Sequence, residues 1–446
     1  MKRKRIFRGV LSMGYGKAVQ ALIQLATVPA LAASWGLHTY GQWLLLTTVP
    51  AFLAASDFGF GYAAGNRLIG EVARGDNHAA RVTFQSAQAV IVGCSAGILT
   101  LALVVAALLP DRLLNTPGGM ESGTARLVLV ILATYGIIAM QSQLFMATMR
   151  AHGAFALSTS VEATIQLAEG LAVIAIALSG GTPIEAAFGY LGIRSLGVAG
   201  HVLLARRRAH WLAIGVRDVR RHRISQLTRP ALAAMIMPLA QAGYLQGSVV
   251  AVGAAAGAAA VPIFTSLRTL SRVALQLILS LTMPILPEFT AEHERGNTPW
   301  LQRILGAMNT LNALVGLLAG LTLLALGNSL LKWWTHGAIA APQMMITLTA
   351  AGLLAGAVWN PMSYFLLAVN RHEAFTYYLG VAATLMVFFT YVCVRRWGIT
   401  GAAGSALILD IFMLACGIAQ LKRLVGTVPF GISALRVLVP PRRSAT

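Results

Sequence analysis

Apolar runs of twenty residues or more recur from one end of this chain to the other. Each is long enough to cross a hydrocarbon layer about 30 Å thick as a helix. Twelve can be marked, at 9–33, 41–65, 82–109, 125–148, 158–179, 184–205, 231–256, 264–287, 301–326, 344–368, 375–394 and 401–421. Helices satisfy their own backbone hydrogen bonds and so can sit in lipid. The fold class read from this pattern is an all-α polytopic membrane protein with about twelve transmembrane helices. The composition agrees: 11% of the residues are charged and 57% hydrophobic, where a soluble domain carries about 25% charged residues.

The one long polar interval is Ala205 to Arg229, close to the midpoint. It holds Arg206, Arg207, Arg208, Arg217, Arg220, Arg221, Arg223 and Arg229 against a single acid, Asp218. We read it as a cytoplasmic hinge between two membrane-embedded halves. The formal charge of +20 invites a nucleic-acid reading, but its distribution is that of membrane topology, because Lys and Arg gather in cytoplasmic loops. With the N-terminus inside, twenty-five Lys and Arg fall on the cytoplasmic side and five outside. Arg395 and Arg396 run against that bias. Both termini are placed in the cytoplasm and no nucleic-acid partner is expected. The start, MKRKRIFRG before an apolar run, looks like a signal peptide. Lys17, Gln20 and Gln24 interrupt it, however, and its length favours an uncleaved first helix. Cys94, Cys393 and Cys416 lie inside apolar segments with no metal-ligand spacing and read as small core residues.

The halves repeat. Glu71 to Asn77 (EVARGDN) is matched by Glu292 to Asn297 (EHERGN), and Arg150 to Phe155 (RAHGAF) by Arg371 to Phe375 (RHEAF); Arg74 and Arg295, like Arg150 and Arg371, are 221 positions apart. The expected division is an N-terminal six-helix lobe at 1–205, a basic linker at 206–229, a C-terminal six-helix lobe at 230–422 and a basic tail at 423–446. Paired bundles with a site near the midplane are a transporter architecture.

A charge at the bilayer centre costs about 2.5–3.5 kcal/mol on translocon scales, so it faces a cavity or a partner. The candidates are Lys17, Asp57, Glu162, Glu169, Arg194, Arg268, Arg272 and Asp410. Depths of about 12 Å pair Lys17 with Asp57, and depths of about 16 Å pair Glu169 with Arg194, at 1.5 Å per residue. Arg268 and Arg272 are four apart and share a helix face. No acid lies at their depth in the segments on either side, and their fork geometry suits a phosphate or diphosphate. Asp57, Glu169 and Asp410 are the buried acids suited to ion coupling. No Walker A loop, HExxH or paired CxxC occurs, so neither an enzyme, a cofactor nor a metal site is expected.

Thr39-Tyr40-Gly41-Gln42-Trp43, then Ser56-Asp57-Phe58-Gly59-Phe60-Gly61 and Asn66-Arg67-Leu68, resemble the start of the Wzx-type polysaccharide repeat-unit (O-antigen) flippases. Those belong to the multidrug/oligosaccharidyl-lipid/polysaccharide (MOP) exporter superfamily. Trp397 to Ala403 resembles a further recurrent piece. The resemblance implies two six-helix lobes around a central cavity. It implies a polyprenyl-diphosphate-linked oligosaccharide moved from the cytoplasmic to the periplasmic leaflet of a bacterial inner membrane. Membrane lipid, a glycan polymerase and glycosyltransferases would be partners, and Lys17, Arg268 and Arg272 would line the cavity, with Arg194 a further candidate for the substrate. A cation-coupled small-molecule exporter is the alternative, and a membrane scaffold without transport a third.

Overall fold

The computed structural model describes residues 2–56, 59–111, 117–282, 285–426 and 430, and every regular element among them is helical. The first group is α1 Lys2–Leu46, α2 Thr48–Ser56, α3 Phe60–Ala73, α4 Asn77–Leu108, α5 Ser122–Ala151, α6 Phe155–Leu178, α7 Pro183–Arg208 and α8 Arg221–Ala242. A π-helical turn, Gly243–Gly247, leads into α9 Ser248–Ala256. The second group is α10 Ala260–Thr282, α11 Leu286–Glu294, α12 Thr298–Trp334, α13 Gln343–Ala368, α14 Glu373–Trp397 and α15 Thr400–Val425. Ten helical runs among the described residues are long and apolar enough to cross a membrane, as an integral membrane protein requires.

The difference from twelve has two sources. Residues 34–40, the interval between the first two segments, lie inside α1. Two helices meet there at Gly36 (φ 71°, ψ 168°), in the interval where the sequence divides them, and they follow one another so directly that they form one run, Phe7–Leu53. Gln42 helps hold that geometry by accepting from the Met120 amide and donating to its carbonyl. The other source is α10, which has the length but carries Arg268 and Arg272 with Thr265, Thr269 and Gln276 at helical spacing. That polar stripe is half-buried, while Leu267 and Ile278 on the other side are packed away.

The helices form two compact units, Met1–Gly253 with Gly257–Pro262, and Ala254–Ala256 with Ile263–Thr446. α8 and most of α9 pack in the first unit. Glycine is the reason. A Cβ on Gly41 would sit 1.9 Å from the Ala258 carbonyl oxygen, and one on Gly59 (φ 60°) 2.0 Å from that of Ala231. Gly253 in turn receives Leu45, whose Cδ2 lies 2.5 Å from where a Cβ would be. The seventh apolar segment is thus laid backbone to backbone along the second, at a distance only glycine permits. In the second unit α13 packs against both α12 and α15, and α14 against α15.

The repeat is real in local geometry at one of its two matches. Arg74, Gly75 (φ 74°) and Asp76 follow α3 as Arg295, Gly296 (φ 69°) and Asn297 follow α11. Asp76 and Asn297 both cap the next helix, accepting from the amides of Ala79 (2.9 Å) and Trp300 (3.3 Å). The second match does not hold in register: Arg150 is in the last turn of α5, whereas Arg371 lies beyond the end of α13. The discordant Arg395 and Arg396 occupy the last turn of α14, where cations are favoured by the helix dipole.

The arginine-rich segment is docked on the first unit. Gln85 of α4 accepts from the Asp218 amide (2.6 Å) and donates to the Ala213 carbonyl (3.0 Å). Ser86 accepts from the Arg220 amide (3.1 Å), and Arg81 pairs with Asp218 (2.8 Å). Trp211 stacks on His152 and donates from Nε1 to its Nε2 at 3.1 Å. Burial holds the His152 imidazole below its ordinary pKa, and Arg208 and His210 add to the effect. The neutral ring therefore favours docking. Its contribution is complete above an unfolded value near 6.5 and disappears as pH falls through the lower, folded value. One hydrogen bond of about 1 kcal/mol corresponds to roughly a fivefold shift. Trypsin cleavage at Arg217 and Arg220 should therefore rise about that much between pH 8 and pH 5, with protease activity corrected for pH. In His152→Gln, which keeps an acceptor and cannot titrate, the rise should vanish; equal cleavage of the unmodified chain at both pH values would refute the coupling.

Candidate functional site

The polar centre of the first unit is built by the hairpin of α6 and α7. Thr182 and Glu185 make a reciprocal cap at the start of α7, with Pro183 in its first turn. The tight turn brings the helices back antiparallel. Glu162 and Glu169 are seven residues apart on α6, as Arg194 and His201 are on α7. Seven residues is two turns, so each pair shares a face. Glu169 falls opposite Arg194, and Glu162 comes level with His201.

Arg194 is 3% exposed and gives its whole fork to carboxylates. Nε reaches Glu169 Oε1 at 2.7 Å and Nη2 reaches Oε2 at 2.8 Å, while Nη1 reaches Glu162 Oε1 at 2.8 Å. Tyr135 of α5 donates to Glu169 Oε2 at 3.2 Å, and its ring lies 5.5 Å from the guanidinium carbon. Gln166 donates to Glu162 at 3.0 Å. Glu162 Oε2 is buried without a hydrogen-bond partner, and His201 is fully buried. One guanidinium thus serves two carboxylates, an arrangement with acceptor capacity left for a cation or a proton. An aromatic series runs from it through Tyr190 and Trp43 to Trp35, with ring centroids 5.2, 5.9 and 5.3 Å apart.

The pairing of Glu169 with Arg194 is the one anticipated from depth. Glu162 as a second partner, with Tyr135 and His201, was not foreseen; the seven-residue spacing on both helices was the available signal. Lys17 lies on α1, exposed on this chain, beside the seam where Gly16 meets Ala163 and Tyr15 meets Thr164. Its expected partner Asp57 lies outside the described residues.

In the second unit, Arg268 and Arg272 are half-buried on the polar stripe of α10, and the Arg268 guanidinium lies 4.9 Å from the Phe264 ring centre. Asp410 of α15 accepts from Trp359 Nε1 of α13 at 2.9 Å. Its other oxygen lies 3.1 Å from where a Cβ on Gly352 would stand. Among the described residues no group of three His, Cys, Asp or Glu is arranged for a metal ion.

No protein-family model matches the sequence, and no curated protein does. Solved structures do match in fold. An inward-facing multidrug resistance MATE family transporter of the MOP superfamily superposes with a TM-score of 0.76 at 14% identity, over 98% of this chain and 100% of that one. The lipid II flippase MurJ, in an inward closed conformation, gives 0.69 at 12% identity, over 96% and 89%. A MOP superfamily transporter from Pyrococcus furiosus, described as having a binding pocket of reverse polarity, gives 0.61 at 14% identity, over 95% and 96%. These neighbours are transporters and a flippase rather than enzymes, and the chain has the all-α polytopic fold that MOP superfamily transporters share.

Proposed function

We propose that this protein is a flippase for a polyprenyl-diphosphate-linked oligosaccharide, moving it from the cytoplasmic to the periplasmic leaflet of a bacterial inner membrane by alternating access. The observation that carries the reading is the α10 stripe, where Arg268 and Arg272 stand one turn apart on a half-buried polar face. Two guanidinium forks at that spacing suit the two phosphates of a diphosphate. Lys17 adds a cation from α1. The fold shared with a lipid II flippase supports a lipid-linked substrate, and the resemblance of the first helices to Wzx-type flippases supports a glycan of the O-antigen kind. On this reading glycosyltransferases and a glycan polymerase are partners, both termini are cytoplasmic, and the repeat reflects two six-helix halves, 1–205 and 230–422, around a cavity. Arg194, whose donors lie on Glu162 and Glu169, would reach substrate only by releasing a carboxylate. Glu169, Asp410 and Asp57 are the acids proposed for ion coupling.

The test is glycan display at the cell surface, with protein level checked by immunoblot. Arg268→Ala and Arg272→Ala should each lose most of the display, and Arg→Lys, which keeps charge but loses the fork, should lose part. Normal display from both alanine variants at normal protein level would sink the assignment. A cation-coupled small-molecule exporter is the second reading, favoured by the likeness to a MATE transporter. Dye efflux from intact cells, with display unaffected, would select it. The coupling proposal would fail if transport in proteoliposomes were the same with and without ion gradients and membrane potential.

A further inference from the structure

The first unit also holds a pocket of about 480 Å³ between α3 and α8, apart from the α6–α7 cluster and the α10 stripe. Its walls change character along their length. At one end lie Tyr62 and Ala63 of α3 with Leu227 and Pro230 of α8. At the other lie Asn66, Arg67 and Arg74 of α3 with Gln226 of α8. The two helices run antiparallel, since Gly59 meets Ala231 while Glu71 meets Arg223 (3.1 Å). Polar donors therefore converge where α3 ends and α8 begins, and apolar surface where both helices lead into the apolar part of the unit.

Arg67 is held in place at that mouth. Its Nε donates to Glu71 Oε1 at 3.1 Å, and Glu71, 1% exposed, also accepts from Thr83 at 3.0 Å. Arg74 is exposed on the same side. Among the described residues no carboxylate lines the pocket. Amide and guanidinium donors above an apolar floor are complementary to one chemistry, a phosphate group attached to hydrocarbon chains.

We propose that this pocket binds the headgroup of an anionic glycerophospholipid, with the phosphate on Arg67, Arg74, Asn66 and Gln226 and the chains leaving past Tyr62 and Pro230. The inference rests on nothing in the transport reading, because its ligand is a bulk lipid of the leaflet. Such a lipid would tie α3 to α8 at the end where the docked arginine segment enters α8.

The experiment uses the purified full chain in detergent, titrated with phosphatidylglycerol and followed by native mass spectrometry. Parallel titrations use phosphatidylcholine and inorganic phosphate. Phosphatidylglycerol should bind more tightly than phosphatidylcholine, and equimolar inorganic phosphate should not displace it. Losing a charge-assisted hydrogen bond of about 1.5–3 kcal/mol predicts that Arg74→Ala weakens the first phosphatidylglycerol by about tenfold or more. Arg74→Lys should recover part of that, and it guards against a folding defect in the alanine variant. Three outcomes would each overturn the proposal: unchanged phosphatidylglycerol binding by Arg74→Ala, equal binding of the two lipids, or displacement by equimolar phosphate, which would make this a site for the free anion.

Discussion

Arg194→Ala is expected to cost the folded protein about 3–5 kcal/mol, the range seen when one partner of a buried ion pair is removed. The change strands two carboxylates. Glu169 loses both of its short bonds to the guanidinium and keeps Tyr135; Glu162 loses its only arginine contact and keeps Gln166. Glu169 is 2% exposed and Glu162 half-buried, so neither carboxylate is freely solvated. The expected result is a large fall in melting temperature and in the yield of monodisperse protein from detergent. Adding Glu162→Gln and Glu169→Gln to Arg194→Ala should restore much of both, because the neutral amides need no counter-charge. Arg194→Lys should rescue poorly, since one ammonium cannot make three directed bonds to two carboxylates. An Arg194→Ala protein that melts at the parental temperature would show that the cluster does not hold α6 to α7.

The second large effect is expected at Gly41 and Gly59. Alanine at Gly41 would put its methyl carbon 1.9 Å from the Ala258 carbonyl oxygen, and alanine at Gly59 would put its own 2.0 Å from the Ala231 carbonyl oxygen. The obstacle in both cases is backbone, so no rotamer change relieves it, and Gly59 adds a left-handed φ that alanine tolerates poorly. Overpacking typically costs about 1–3 kcal/mol and more where the neighbour cannot yield. Each substitution should therefore cost about 2–3 kcal/mol, and the two together should free α8 and α9 from the first unit. Gly93→Ala and Gly97→Ala are the controls. Both sit inside α4 with open space around the position, and both should be neutral or stabilising on helix propensity. Melting curves in one detergent decide the matter: if Gly41→Ala is as benign as Gly93→Ala, the close approach is not what joins these helices.

These two sites differ in how far they could be read before the fold was known. The Glu169–Arg194 pair was legible because a buried charge is costly, and two opposite charges at matching depth on adjacent helices of a short hairpin have few other partners. The turn after Glu71 was legible too, since Arg-Gly followed by Asp or Asn writes a helix end, a left-handed residue and the next cap in three letters. The contacts of Gly41 with Ala258 and of Gly59 with Ala231 were not legible. They join positions about two hundred residues apart through the absence of a side chain, which leaves no charge, period or motif. The docking of the arginine-rich segment was not legible for a related reason. Eight arginines announce a polar hinge, but what ties it down besides the Arg81–Asp218 pair is Gln85, Ser86 and the Trp211 ring, neutral groups whose partners are mostly backbone atoms more than a hundred residues away. The break at Gly36 falls in the interval that separates the first two segments, and the helix resumes at once through Tyr40 and Trp43, both almost fully buried.

The docking of that segment changes what kind of mechanical element joins α7 to α8 within the first unit. A free tether of some two dozen residues would let its ends wander over roughly 25–29 Å, following the square-root law for a flexible coil. With 206–229 bonded to α4 through Gln85 and Ser86, the end of α7 and the start of α8 are tied to one support. A displacement of α7 would then reach α8 as through a strut, and the slack of a coil contributes nothing.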